Sequence, residues 1–166
     1  MSRSSGPRLK YIKPDAVAEL IRAGETRRPE FLVIDVRSSD FPGGNLPGAV
    51  NVTTDKFRTD HAVERVIQQH IAPRLPQLRT VIVHCMRSQT RGPYAAHLLA
   101  RSPALPPNVD VVVLEGGFQG WLRRYRGEKA LFEGMAGGEQ WEDVVQAEEG
   151  SALEAEDSRR IRQGRA

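Results

Sequence analysis

Cysteine is almost missing from this chain: Cys85 stands alone among 166 residues. An internal disulfide is excluded, and with it the small secreted scaffolds that depend on such bridges. Long apolar runs are missing too. No stretch of the sequence reaches the roughly 20 residues needed to cross a bilayer, and none has the make-up of a secretory signal. The expectation is a soluble protein of the cytoplasm or nucleus, with no membrane partner. Charge is abundant but not one-sided, with 24 basic against 21 acidic residues and a net +3. Basic blocks interleaved with aromatics are absent, which argues against nucleic acid as a ligand. No internal repeat suggests a solenoid. His61, His70 and His97 are scattered, and no second cysteine stands at a zinc-ligand spacing, so no metal and no cofactor is expected.

What is present is enough for one core. At 39% hydrophobic residues, 166 positions make one domain with tails. Residues 1–8 form a small, polar, basic leader expected to be disordered, and 136–166 a charged tail, partly helical around EQWEDVVQAEE or disordered. Between them, over residues 9–135, short β-branched runs alternate with segments of helical period. FLVIDV (31–36), TVIVHC (80–85) and VDVVVLE (109–115) are nearly continuous in apolar character, as in strands buried on both faces of a parallel sheet. Shorter strands are predicted at AVNV and LKYI. Helical spacing marks Val17, Leu20 and Ile21; Val63, Val66, Ile67 and Ile71; Ala95, Leu98 and Leu99; and Phe118, Trp121, Leu122 and Tyr125. This alternation predicts an α/β domain, a mostly parallel sheet with helices on both faces. Ligands of such sheets lie beyond the carboxyl ends of the strands. Cys85 lies at one of those ends.

From Cys85 the loop runs through Met86, Arg87, Ser88, Gln89, Thr90 and Arg91, and GPYAAHLLA then opens a helix, with Pro93 fitting its first turn. A loop between a strand end and a helix start turns backbone N–H groups inward and feels the positive end of the helix dipole. That is a cradle for phosphate or an analogue, and its field favours the thiolate, the nucleophilic form of cysteine. Arg91 is suited to close the cradle, because a guanidinium grips two oxygens of a tetrahedral anion at once. The Ser88 hydroxyl is placed to donate to the thiolate. His84 is expected to orient the loop through hydrogen bonds rather than to act as a base. Arg87 reads equally well as an anion contact or as a solvated loop arginine. Phe118 and Trp121 read as core, and Gly43, Gly44, Gly48, Gly116 and Gly117 as turn formers.

His-Cys-x5-Arg in this strand–loop–helix setting resembles the M-phase-inducer type of phosphatase and its small relatives, the fungal, plant and protozoan arsenate reductases, which share the rhodanese fold. LVIDVR, GGNLPGAVNV and VLEGGFQGW are similar to other segments of rhodanese domains, and the resemblance spans residues 9–126. It implies a single rhodanese-like domain, with Cys85 as nucleophile and Arg91 as oxyanion clamp. It also implies a phosphate-binding loop of Met86, Arg87, Ser88, Gln89, Thr90 and Arg91, with Asp35 supporting that loop from the adjacent strand. Sulfurtransferases of this fold typically have a loop one residue shorter. The implied function is a phosphatase of the protein tyrosine or dual-specificity type, acting through phosphocysteine on a phosphorylated protein. The alternative is an arsenate reductase using an external thiol, glutathione or glutaredoxin, on a small oxyanion. A sulfurtransferase or an idle binding module follows less directly. Where the mitotic phosphatases carry glutamates in the loop, this chain has Met86 and Thr90, so no carboxylate lies between Cys85 and Arg91. Nothing in the sequence calls for more than a monomer.

Overall fold

Three of the apolar runs are unbroken because each becomes a strand covered on both faces. In the computed structural model, which describes residues 8–135, they form β2 (Phe31–Asp35), β4 (Thr80–His84) and β5 (Asp110–Leu114). Two shorter strands flank them, β1 (Lys10–Ile12) and β3 (Val50–Asn51). The five run parallel in the order β1-β5-β4-β2-β3. Alternate residues enter opposite cores, as the period of 2 requires. Leu32, Ile34, Val81, Val83, Val111 and Val113 pack with Val63, Val66, Ala95, Ala96 and Leu99 on one face. Val33, Ile82 and Leu114 pack with Val17, Ala18, Phe118, Trp121 and Leu122 on the other. Fully burying a side chain of this kind contributes about 1.5–3 kcal/mol.

The helices supplying those contacts are α1 (Pro14–Arg22), α2 (Asp60–Val66), α3 (Arg91–Arg101) and α4 (Gly117–Tyr125). Helix α1 starts with Pro14 and Asp15 and ends with Arg22, matching both the proline preference and the dipole of its ends. Thr59 caps α2 by accepting a hydrogen bond from the Ala62 N–H at 3.0 Å. The helix expected to carry Val63, Val66, Ile67 and Ile71 is regular only to Val66; it widens into a π-turn over Ile67–Ile71, with all four side chains still buried. Helices α1 and α4 cover one face of the sheet and α2 and α3 the other, giving the expected parallel sheet between two helical layers. Residues 1–7 of the expected leader, and the tail from 136 with the helix around EQWEDVVQAEE, lie outside the described residues.

Candidate active site

Strand β4 ends at His84, and α3 begins at Arg91, so residues 85–90 form the connection at the carboxyl edge of the sheet. Cys85 is buried, and its Sγ accepts a hydrogen bond from the Ser88 backbone N–H at 3.2 Å. Ser88 makes this possible by adopting φ 55°, the one left-handed non-glycine residue among those described. Such a conformation costs on the order of 1–2 kcal/mol. The structure thereby corrects one expectation: the amide of Ser88, not its hydroxyl, meets the sulfur. With the chain turned left-handed the N–H faces Sγ, and Ser88 Oγ is buried without a hydrogen-bond partner among the described residues.

The loop is held from two sides by helix starts. On the α3 side, a Cβ at Gly92 would lie 3.2 Å from Cys85 N and from His84 Cα, so only a residue this small lets the helix sit so close to the strand end. On the α4 side, the N–H groups of Phe118 and Gln119 donate to the carbonyls of Cys85 (3.0 Å) and Met86 (2.8 Å). Gly116 and Gly117, both left-handed, bring α4 into that position. The Gly-Gly pair is more than a turn former: it is the point of contact between α4 and the loop. Met86 itself turns its side chain into the α1/α4 core, so what it offers the loop is backbone. Gln119, which sequence reasoning passed over, is also buried, and its Nε2 has no partner among the described residues. Gln89 and Thr90 are exposed, and Arg87 is half-buried.

His84 is fully buried, with Nδ1 2.9 Å from the Cys85 carbonyl oxygen. A carbonyl only accepts, so Nδ1 carries the proton and donates. Burial pushes the imidazole below its ordinary value, outweighing the attraction of Asp35 and the bond to Cys85. The ring is therefore neutral, and its Nε2, 3.6 Å from Asp35 Oδ2, lies beyond hydrogen-bond reach. The Nδ1 bond ties the ring to the first residue of the loop.

Asp35, expected to support the loop, accepts three side-chain hydrogen bonds from Arg37, at 2.8–3.0 Å, and one from the Arg37 N–H at 3.1 Å. The reason is local: Arg37 lies two residues on, on the same side of the extended chain, and its guanidinium stacks 4.1 Å from the Phe118 ring centroid. With Asp35 0% and Arg37 1% exposed, removing either partner strands a buried charge, at a cost of about 3–5 kcal/mol. From there Arg37 reaches outward, donating from Nη1 to the Asp40 carbonyl (3.0 Å) and from Nη2 to the Gly44 carbonyl (2.7 Å).

Arg91 is the first residue of α3, and its guanidinium meets a group that sequence reasoning missed. Nη1 donates to Asp40 Oδ1 at 2.9 Å and Nη2 to Asp40 Oδ2 at 2.6 Å. Burial alone would raise the Asp40 carboxyl, but the hydrogen bonds and charge of Arg91 hold it below the ordinary carboxylate value. Arg91 in turn is held above its ordinary value by the Asp40 bond, against burial, with lesser support from the charges of Asp40, Cys85 and Asp35. The site thus has a carboxylate after all, but an ionised and engaged one, unsuited to donate a proton near neutral pH. The only sequence signal for it is its place three residues beyond Arg37. Among the described residues, no group of histidine, cysteine or acidic side chains could hold a metal ion.

The rhodanese-like domain family matches residues 13–124. The Schizosaccharomyces pombe protein called dual specificity phosphatase ibp1 is 33% identical over 143 residues, covering 75% of this chain and 96% of that one. Among solved structures, Ygr203w, described as a yeast protein tyrosine phosphatase of the rhodanese family, superposes with a TM-score of 0.67 at 30% identity, covering 80% of this chain and 96% of the other. The As-Sb reductase of Leishmania major superposes with a TM-score of 0.63 at 25% identity, covering 86% and 99%. The chain belongs to the rhodanese-like domain family, among homologues that are Cdc25-like and dual-specificity phosphatases.

Proposed function

We propose that the chain is a cysteine-dependent phosphatase of the tyrosine or dual-specificity type. The observation that carries the reading is Cys85 Sγ, seated at the start of α3 with the Ser88 N–H on the sulfur and Arg91 at the head of the same helix. In this reading the thiolate attacks phosphorus, the P–O bond to the leaving group breaks, and phosphocysteine forms. Water then attacks phosphorus, breaking the P–S bond and returning the thiolate. Arg91 and loop N–H groups stabilise the oxygens of the transferring group.

The loop holds no acid and Asp40 is ionised, so among the described residues neither is suited to protonate a departing alkoxide. Aryl phosphates, whose phenolate leaves without much protonation, should be hydrolysed well ahead of phosphoserine peptides. Cys85→Ser should abolish turnover of p-nitrophenyl phosphate, and Arg91→Lys should lower it about 10²- to 10³-fold, the scale for one lost oxyanion donor. Retained turnover in Cys85→Ser, or phosphoserine hydrolysis as fast as the aryl reaction, would remove the reading.

The likeness to the Leishmania reductase, with the carboxylate-free loop, favours a second reading, arsenate reduction. There the Cys85 thiolate displaces a hydroxide from arsenate to form an S–As bond. One external thiol such as glutathione then attacks Cys85 Sγ, and the S–As electron pair passes to arsenic, which leaves as arsenite at +3. A second thiol breaks the mixed disulfide, returning the Cys85 thiolate and an external disulfide. Since the chain holds one cysteine, no second internal thiol can serve. The same preparation assayed on arsenate, with and without glutathione and glutaredoxin, separates the two activities.

A further inference from the structure

Both ends of the Arg91 side chain are fixed before any ligand arrives. Its backbone is set at the start of α3, and its guanidinium is gripped end-on by Asp40 through Nη1 and Nη2. A guanidinium has a second bidentate face, the side edge made by Nε–H and the remaining Nη2–H. Among the described residues nothing else bonds to that edge. Asp40 is itself not free to wander. Its carboxylate accepts the Ser38 N–H at 3.0 Å, and its carbonyl accepts from Arg37 Nη1 at 3.0 Å. Arg37 in turn is locked by the wholly buried Asp35. The four charges alternate in sign from the core to the loop: Asp35, Arg37, Asp40, Arg91.

We propose that Asp40 is a positioning residue, which by holding Arg91 end-on presents its Nε–Nη2 side edge to the tetrahedral oxyanion bound in the Cys85 loop. The inference rests on the oxyanion reading of that loop and assigns a role to the segment from Asp35 to Asp40 that the reading leaves blank. A long side chain with several rotatable bonds loses entropy when an anion orders it, and a grip made in advance removes that cost from binding. The opposing effect is repulsion between the Asp40 carboxylate and the anion. Positioning dominates, because the pair stands at the partly exposed rim, where charge is screened, whereas a bidentate contact depends steeply on angle.

The test is binding of tungstate, an inert tetrahedral oxyanion, measured by calorimetry alongside p-nitrophenyl phosphate kinetics for the wild type, Asp40→Asn, Asp40→Glu and Arg91→Lys. Asp40→Asn should raise the tungstate Kd and the KM together, by roughly 10- to 100-fold. Asp40→Glu, which keeps a carboxylate, should recover part of the loss. A merely structural role would lower the folded fraction and the rate per total protein but leave KM and Kd unchanged. That result, or tungstate binding in Asp40→Asn as tight as in the wild type or tighter, overturns the inference. A measurement on the wild type alone guards against a variant that does not fold. On tungstate addition the Arg91 Nε–Hε NMR signal, assigned by its loss in Arg91→Lys, should shift; an unshifted signal also overturns the inference. A wild type that binds tungstate but hydrolyses no aryl phosphate removes the phosphatase reading and leaves the Kd series to decide the role of Asp40. A wild type that binds no tungstate removes both.

Discussion

His84 and Asp40 are shifted in the same direction for different reasons. Burial lowers the imidazole of His84, while the Arg91 hydrogen bonds overcome burial to lower the carboxyl of Asp40. In both cases the folded value lies below the unfolded one, so the unfolded chain takes up protons first as pH falls, and stability is lost on the acid side. For His84 the loss begins near the ordinary imidazole value of 6.5 and continues to its lower folded value; for Asp40 it begins near 3.8. His70, lowered by burial and then by Arg74, shares the first window. His84→Asn should therefore flatten, without abolishing, the fall in melting temperature between pH 7 and 5, where a single proton contributes at most about 1.4 kcal/mol per pH unit. Parallel slopes for wild type and variant would show that His84 is not held neutral. At this scale the sequence was legible where chemistry is contiguous. Cys85, the loop and Arg91 form one run, and their types alone suggest an anion site. Asp40 was not legible, because its partner lies 51 residues away and an aspartate in a polar SSDF stretch looks like any turn former.

The loop between β4 and α3 takes its shape from two neighbouring elements, and Gly117 is where one of them presses hardest. A Cβ there would stand 2.6 Å from the Met86 carbonyl oxygen and 2.7 Å from that of Cys85, at φ +61°. Those same oxygens accept the first N–H groups of α4, so they cannot retreat without giving up hydrogen bonds. Gly117→Ala should cost at least about 1–2 kcal/mol from the backbone alone and should lower aryl phosphatase activity as the loop moves. Gly120 is the internal control: a Cβ there meets no heavy atom within 4 Å, and in a helix interior alanine is preferred by up to about 1 kcal/mol. Thermal melts of the two variants should move in opposite directions, and equal melts would deny the close approach. Helix positions were readable from the spacing of their apolar residues, since one face of each is buried. What spacing leaves unread is which backbone a glycine must let pass, because the carbonyls Gly117 meets belong to a loop some thirty residues earlier. The π-turn over Ile67–Ile71 was hidden for a related reason: its buried side chains recur much as a regular helix would place them.

Across the whole molecule, the parallel sheet was foreseeable from three β-branched runs separated by helical segments, whereas the order of the strands was not, because no local feature of a strand names its neighbours. The order has a consequence for life in concentrated solution. The central strands carry FLVID, TVIVH and DVVVL, segments rich in β-formers and poor in charge, of the sort that assemble into cross-β stacks when bared. They are guarded by the two shortest strands, of three and two residues, which leave little template for another chain to extend. The guard on β5 is slight: β1 pairs through Lys10, Tyr11 and Ile12, and the Ile12 carbonyl accepts from Glu115 N at 2.9 Å. Ile12→Pro, which takes an N–H out of that strand, should bring on concentration-dependent light scattering at temperatures below the melt; a lower melting temperature without such scattering would show that β5 is protected by something other than its neighbour. The three residues of β1 then matter less for what they add to the fold than for the aggregation they forestall.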